Sequence, residues 1–580
     1  MSEAVRQGRG GETEVDSPHQ DPPSPASSST GRRWECVALA LIVAGAGALR
    51  LIGLGKVGVD PYYDAAVRSM GRSWHNLFFG VFEPGGSVSI DKPPVDLWLQ
   101  VASVKLFGFG SFSLKLPAAL AGTAAVGLIH LPVRRVFGVG AGLGAALALA
   151  VMPVEMITAR SDTMDAVMML LLVVALLCLV RACEGASTAW LLAAAAALGV
   201  AFNVKLLESA VALPGLGLIA LVGFRRRGGA LRGRVIPLTA ATAVFLAVSL
   251  AWLTATLAFP AHERPYAIGS TNGSAWNAAF VFNGLDRLEG KAIEGSTPPS
   301  KPGAPRATLS ERERITLPGP SPTRLLTAAG PLSYERLGLE ALVALLLGVP
   351  AVALGLRRGG LRRAVGLGLA VWLLTGLVLF SQMTRLHPRY VEGFTPAVAA
   401  TLGIGVAWVA GLAGGRWGIR VHAAVLVCLL AAVLAVPLRA SVRAVRLDVS
   451  DANDIGAMAP EELRQLSTYL RARRGTARYE VAADSATRVA ALIVRDQLPM
   501  LVLTSYEGRT FTTVAELRRA IARGEVRYAL LTGLCGPHTP PTDAACSPPA
   551  LWIRAHASDV SRQAGLTRPQ ALWLLPGATP

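Results

Sequence analysis

The stretch from Gly58 to Gln100 reads GVDPYYDAAVRSMGRSWHNLFFGVFEPGGSVSIDKPPVDLWLQ and gathers Asp60, Tyr62, Tyr63, Asp64, Arg68, Trp74, His75, Asp91 and Lys92. Carboxylates set among aromatics can take up a proton or hold a hard cation, while lysine and arginine bind phosphate. A second short run, ARSDTMD, carries Arg160, Asp162 and Asp165. A third, FSQMTRLHPRYVEGFTP, carries Arg385, His387, Arg389 and Tyr390. Lys205 stands with Asn203 and Glu208 near the end of an apolar run, and a polar set (Arg264, Tyr266, Ser270, Thr271, Asn272, Asn283) follows later. Each group also has a plain reading. Loop charges can simply be solvated, Lys92 can snorkel from a helix start, Asp165 can complement a helix dipole, and Tyr with Arg can form an interfacial belt.

The elements that position these groups are apolar helices. The 580 residues carry only 16% charged side chains and a mean hydropathy of +0.46, too apolar for a soluble enzyme. The apolar residues fall in runs of roughly 18 to 24, the length that carries a helix across a bilayer core of about 30 Å. Helices are expected to begin near Trp34, Pro117, Gly138, Met164, Thr188, Leu207, Val235, Leu337, Ala364, Phe394 and Gly418, about eleven transmembrane spans. Val95 to Phe107 is shorter and amphipathic, and is expected to lie at the interface.

The net charge of +18 is distributed at the ends of these runs, as at Arg134/Arg135, Arg225 to Arg234 and Arg357 to Arg363. That pattern orients helices in a membrane, and no nucleic-acid motif accompanies it. With the amino terminus inside, the loops at Arg134/Arg135, Arg181, Arg225 to Arg234, Arg357 to Arg363 and Arg416/Arg420 fall in the cytoplasm. Outside then lie loop 56–115, the ARSDTMD turn, the Lys205 turn, loop 259–336 and the His387 turn.

Residues 1–33, rich in Ser, Pro and Gly, read as a disordered cytoplasmic tail. The transmembrane domain spans 34–438, and 439–580 reads as a small extracytoplasmic α/β domain. Its apolar runs at 479–483, 500–504 and 527–531 alternate with helical patterns at 461–473, 487–495 and 514–523, which suggests a parallel sheet. Residues 290–322 within the long loop are Pro- and Ser-rich and read as mobile. Of six cysteines, Cys36, Cys178, Cys183 and Cys428 sit in or beside apolar helices, whereas Cys535 and Cys546 bracket a Pro-rich loop in the outer domain and are expected to form a disulfide.

An acidic residue after the first transmembrane helix, then tyrosine and an amphipathic helix, then a DKPP box before a Trp-containing helix, resembles the membrane glycosyltransferases of GT-C type related to protein O-mannosyltransferases and the lipid A aminoarabinose transferase. The strings SWHNLFFGVFEPGGSVSIDKPP, RPYAIGSTNGS and FNGLDRL are similar to a bacterial subgroup of mannosyltransferases with a C-terminal outer domain. The resemblance implies a polyprenyl-phosphate-linked sugar as donor, a plasma-membrane location, inversion at the anomeric carbon, and an acceptor hydroxyl deprotonated by a first-loop carboxylate. Asp60 is the first choice for that base. Relatives carry two adjacent acidic residues where this chain has Asp60 followed by Pro61, so Asp64 stays a rival. The same likeness brings Asp162 into the active site and turns Arg385, His387, Arg389 and Tyr390 toward the donor phosphate. Lys92, its backbone fixed by the prolines, fits the phosphate as well, with Asp91 either orienting it or binding a metal, and Asp162 and Asp165 can share a divalent cation with Asp60.

Two other classes compete. A lipid or glycan transporter would also have many spans, but such proteins place polar groups at mid-membrane on broken helices, and here they cluster at outer helix ends. A receptor whose outer domain does the binding would not need the dense cluster in the first loop.

Overall fold

The computed structural model describes residues 29–225, 231–286, 319–327, 333–383, 386–452, 454–504, 510–531, 533–537, 539 and 543–577. Arg385, most of the expected tail and most of the Pro-rich stretch 290–322 lie outside the described residues.

The chain opens with α1 (Ser29–Leu51) and folds its first loop into α2 (Pro61–Met70), α3 (Trp74–Phe79) and α4 (Val95–Phe107). Strand β1 (Val88–Ser89) of that loop pairs in parallel with β2 (Tyr266–Ala267) of the long loop. Between them run α5 (Ser111–Phe137), α6 (Val139–Val151), the short α7 (Pro153–Thr158), α8 (Asp165–Gly185), α9 (Thr188–Lys205), α10 (Leu213–Gly223) and α11 (Leu231–Leu257). After the long loop come α12 (Glu335–Gly355), α13 (Gly360–Gln382), α14 (Thr395–Trp417) and α15 (Ile419–Arg446).

Each expected span has its helix, yet among the described residues nine segments, not eleven, are long and apolar enough to cross a membrane. Two places account for the difference. With 13 residues, α6 rises about 20 Å, short of a bilayer core. Helices α9 and α10 form one apolar stretch of 36 residues, Thr188–Gly223, turned at Leu206, where φ is +48°. Small residues let the bundle close: a Cβ on Gly144 of α6 would stand 3.1 Å from Gly403 Cα of α14, so these backbones touch.

Helix α15 continues to Arg446, past the boundary expected at 438. Beyond a linker lies a sheet of β3 (Ala482–Ser485), β4 (Leu501–Thr504), β5 (Tyr528–Leu530), β6 (Ser558–Asp559) and β7 (Leu572–Leu574), in the order β4-β3-β5-β7-β6. Strands β4, β3 and β5 are parallel as expected. The sheet as a whole is mixed, because β7 runs antiparallel to β5 and β6. Those last strands have three and two residues, too few for alternation to show in sequence. Helices α16 (Pro460–Arg473), α17 (Ala490–Asp496) and α18 (Val514–Ala522) match the helical patterns, α19 (Pro548–His556) follows, and Cys535 is bonded to Cys546.

This domain is packed onto the first loop. Helix α17 lies against α2, and Arg72 Nη1 donates to Gln497 O at 3.1 Å. The buried Glu83 carboxylate accepts from Gly85 N, Ser87 N and, at 3.3 Å, Met500 N. Tyr266 of β2 meets Phe511 edge-on, with ring centroids 5.5 Å apart.

Candidate functional site

Asp60 and Pro61 together start α2. The Asp60 side chain accepts the Tyr62 N–H at 3.1 Å, as an N-cap does, and Pro61 fills the first helical position, where a missing N–H costs nothing. One turn later Asp64 falls on the same helix face. The Asp60 N–H donates to Asp162 Oδ2 at 2.9 Å, and Lys115 Nζ stands 3.5 Å from that same oxygen. Asp60, Asp64, Asp162 and Lys115 are all buried. Burial, then the charge of Asp162, pushes the Asp64 carboxyl well above the usual carboxylate range; Lys115 opposes the shift and Asp60 adds to it. Burial beside Asp162 thus favours the protonated form of Asp64.

A second group is cationic. Lys92 Nζ reaches back to Asp91, 2.6 Å from Oδ2, and Asp91 also accepts the Tyr62 O–H at 3.1 Å. The prolines after Lys92 lead straight into α4, whose Asp96 is buried and pushed up to about 7 by burial. Lys205, at the turn between α9 and α10, ion-pairs with Asp165, and Glu208 Oε2 lies 3.4 Å away. Its ammonium stands 5.2 Å from the centre of the Tyr390 ring, and His387 meets the same ring edge-on at 5.1 Å. Arg389 is buried against Asp451, 3.0 Å from Nη1 to Oδ2. Burial opposes its charge, yet Asp451, Tyr63 and Asp165 hold the guanidinium above its ordinary range.

Tyr63 joins the two groups, since its hydroxyl feels Arg389, Asp91, Asp60 and Asp165 at once. Beside it opens a cavity of about 220 Å³, lined by Lys92, Lys205, Glu208, Asn283 and Tyr390 together with Leu207, Val211, Leu379 and Phe380. Cations and a hydrocarbon wall in one cavity suit a ligand with an anionic head and an apolar tail.

Sequence reasoning gathers much of this site. Asp60, Asp64 and Asp162 do meet, and Lys92 and Tyr390 line one cavity. Of the carboxylates expected to hold a metal, Asp91 and Asp165 are each paired to a lysine, and among the described residues no group of three His, Cys, Asp or Glu side chains has the arrangement to hold an ion. The polar set of the long loop is mostly spent on its own turn: Tyr266 donates to Ser270 O, Ser270 to Ala267 O, and Asn272 accepts from Ser274 N. Asn283 alone of that set reaches the cavity, donating to Asp91 O at 2.7 Å. Arg160 Nη1 donates to the carbonyls of Leu49, Arg50 and Ile52, closing the end of α1.

Sequence reasoning singled out Lys205 but missed Lys115 and Asp451. Lys115 was visible as a cation at the end of an apolar run, a costly placement that marks function. Asp451 gave no signal, because it lies in a linker.

Residues 91–252 match the family described as Dolichyl-phosphate-mannose-protein mannosyltransferase, and residues 466–556 match the one described as "Putative mannosyltransferase YkcB-like, C-terminal". The chain is similar to "Putative mannosyltransferase YycA" of Bacillus subtilis (strain 168), 36% identical over 232 residues, which is 40% of this chain and 33% of that protein. The chain thus spans about a third of the length of the curated relatives it matches. In fold it is similar to ArnT from Cupriavidus metallidurans bound to undecaprenyl phosphate, with TM-score 0.51 and 16% identity, covering 95% of this chain and 100% of that one. It is also similar to the oligosaccharyltransferase AglB from Archaeoglobus fulgidus in complex with an inhibitory peptide and a dolichol-phosphate, with TM-score 0.57 and 12% identity over 87% of this chain and 70% of that one. The fold is that of the GT-C membrane glycosyltransferases, and the resemblance carried by the DKPP box and its neighbours is borne out.

Proposed function

We propose that this chain is a glycosyltransferase of the plasma membrane that moves a sugar from a polyprenyl-phosphate carrier to an acceptor hydroxyl on the outer face, with inversion. The observation that carries this reading is the cavity where Lys92, Lys205 and Tyr390 stand against an apolar wall, next to a buried trio of carboxylates. A polyprenyl phosphate has that same division between head and tail, and the names of two solved neighbours include such carriers. The names of the sequence relatives favour mannose as the sugar.

In the reaction the acceptor oxygen bonds to the anomeric carbon as the bond from that carbon to the phosphate oxygen breaks. The acceptor proton passes to a carboxylate, and the lipid phosphate departs with the electron pair. Asp60 is the better base of the two rivals, because a base must be ionised to receive a proton and burial beside Asp162 disfavours the ionised form of Asp64. Lys92, Lys205 and Arg389 offset the charge growing on the phosphate, where low dielectric strengthens each contact. Tyr390 and His387 shape that side, and Arg385 takes its phosphate role from the motif alone. No step is routed through a metal ion.

The arginine clusters at the other helix ends support an outward site. Incubating the purified protein with radiolabelled polyprenyl-phosphate sugars tests the class: transfer by the wild type and none by Asp60→Asn supports it, and no transfer from any such donor refutes it. Sidedness is checked in intact cells, where an impermeant thiol reagent should label a cysteine placed at the exposed Arg562 and miss one placed at the exposed Arg357.

A further inference from the structure

The segment after α15 is threaded through the site. Val449, Ser450, Asp451 and Ala452 are all buried, although their sequence reads as a plain connection. A Cβ on Gly58, two residues before Asp60, would stand 3.5 Å from Ser450 Oγ. The Asp451 N–H donates to Ser161 Oγ at 2.8 Å, beside Asp162. On its other side Asp451 receives Arg389 Nη1 twice, at 3.0 Å on Oδ2 and at 3.1 Å on its carbonyl oxygen. One residue therefore touches the turn that carries Asp162 and the arginine of the cationic group.

The pair is buried, at 7% exposure for the Arg389 side chain and 8% for Asp451. An ion pair so placed is kept only when its remaining donors also find partners. Arg389 Nε, however, is buried and has no hydrogen-bond partner among the described residues. Guanidinium is a rigid planar fork, so fixing Nη1 fixes the direction of Nε as well. The Arg389 charge interacts with Lys205, Tyr390 and Tyr63, so this unsatisfied donor belongs to the cationic group beside the cavity.

We propose that Asp451 is a positioning residue for the donor phosphate, acting through Arg389: it anchors Nη1 so that Nε faces the anion. The proposal rests on the polyprenyl-phosphate reading of the site. It also gives the linker a role in binding, since the chain leaving the membrane domain sets the geometry of the phosphate contact before it enters the C-terminal domain.

The test is a double-mutant cycle on binding of undecaprenyl phosphate to the full-length protein in lipid nanodiscs. Asp451→Ala and Arg389→Gln should each weaken binding by about tenfold or more. Because both act through one guanidinium, Asp451→Ala added to Arg389→Gln should cost less than about twofold further. Asp451→Asn, which keeps an acceptor oxygen, should retain most of the affinity. Equal losses from Asp451→Ala in both backgrounds would overturn the proposal, as would unchanged binding by a folded Asp451→Ala or by Arg389→Gln. If Asp451→Ala fails to fold, Asp451→Ser takes its place in the same cycle with the same outcomes. Wild-type protein that does not bind undecaprenyl phosphate at all would refute the donor reading itself, a result distinct from any of these.

Discussion

Lys115 Nζ lies 3.5 Å from Asp162 Oδ2 with both side chains fully buried, so a buried cation stands within the carboxylate cluster. Lys115 opposes the upward shift of Asp64. Lys115→Met removes that opposition, and the carboxylates should hold protons to higher pH. The acid limb of the pH–rate profile for sugar transfer should move up by about one pH unit or more, and an unmoved limb would separate Lys115 from the reacting carboxylates.

Asp60 and Asp64 should differ sharply when each is made an amide. Asp60→Asn removes the base and should lower kcat by a factor of about 10² to 10⁴. Burial and the charge of Asp162 favour the protonated Asp64, and an amide donates a hydrogen bond as a carboxylic acid does. Asp64→Asn should therefore cost less than about tenfold in kcat, the difference being one of hydrogen-bond geometry. Comparable losses from both would mean that the two carboxyls act as one unit.

Lys205 serves both the ligand and its own surroundings, because its removal leaves Asp165 and Glu208 buried without their cation. Lys205→Met alone should lower thermal stability and donor binding together. Lys205→Met with Asp165→Asn should recover most of the stability, since the orphaned charge is gone, while donor affinity stays down by about tenfold or more. Recovery of donor affinity in the double variant would show that Lys205 only balances Asp165.

Glu480, in the C-terminal domain, is buried, and burial followed by Asp496 pushes its carboxyl up to about 10 from an ordinary 4.5. The native state then holds a proton that the unfolded chain releases above that ordinary value. Stability is lost as pH rises from 4.5 toward about 10, because the native state binds more protons than the unfolded one. At pH 7 the loss is on the order of 3 kcal/mol. Glu480→Gln stays neutral at every pH, so its melting temperature should match the wild type near pH 4 and exceed it increasingly toward pH 9. A constant offset across that range would remove the titration of Glu480 from the account.

Most of the membrane architecture was legible because lipid demands it: an apolar run of the right length has little choice but helix. The DKPP box and the acidic start of the first loop were legible because prolines and an N-cap aspartate act locally, within one turn of their own backbone. Partnerships across helices were not. Lys205 and Asp165 are 40 residues apart and Arg389 and Asp451 are 62 apart, and which helix ends face one another is decided by glycine-mediated packing that no single run of sequence displays. Asp165 reads as a plain helix-start carboxylate until packing delivers Lys205 to it, whereas Asp91 is paired with its own neighbour Lys92. The end of helix α15 was not legible because its last turns carry Arg439, Arg443 and Arg446, which lower the hydropathy without ending the helix.

The hydrogen bond from Arg72 to the Gln497 carbonyl joins residues 425 positions apart, and α2 rests on α17 over the same interval. A ribosome adding about 5 to 20 residues per second needs on the order of 20 to 90 s to cover it. Throughout that time the helix that bears Asp60 and Asp64 waits without its packing partner. Order of synthesis thus acts as a timer on assembly: the carboxylate trio meets its final surroundings only once α17 has been made, and a chain that stops before it has an unfinished site.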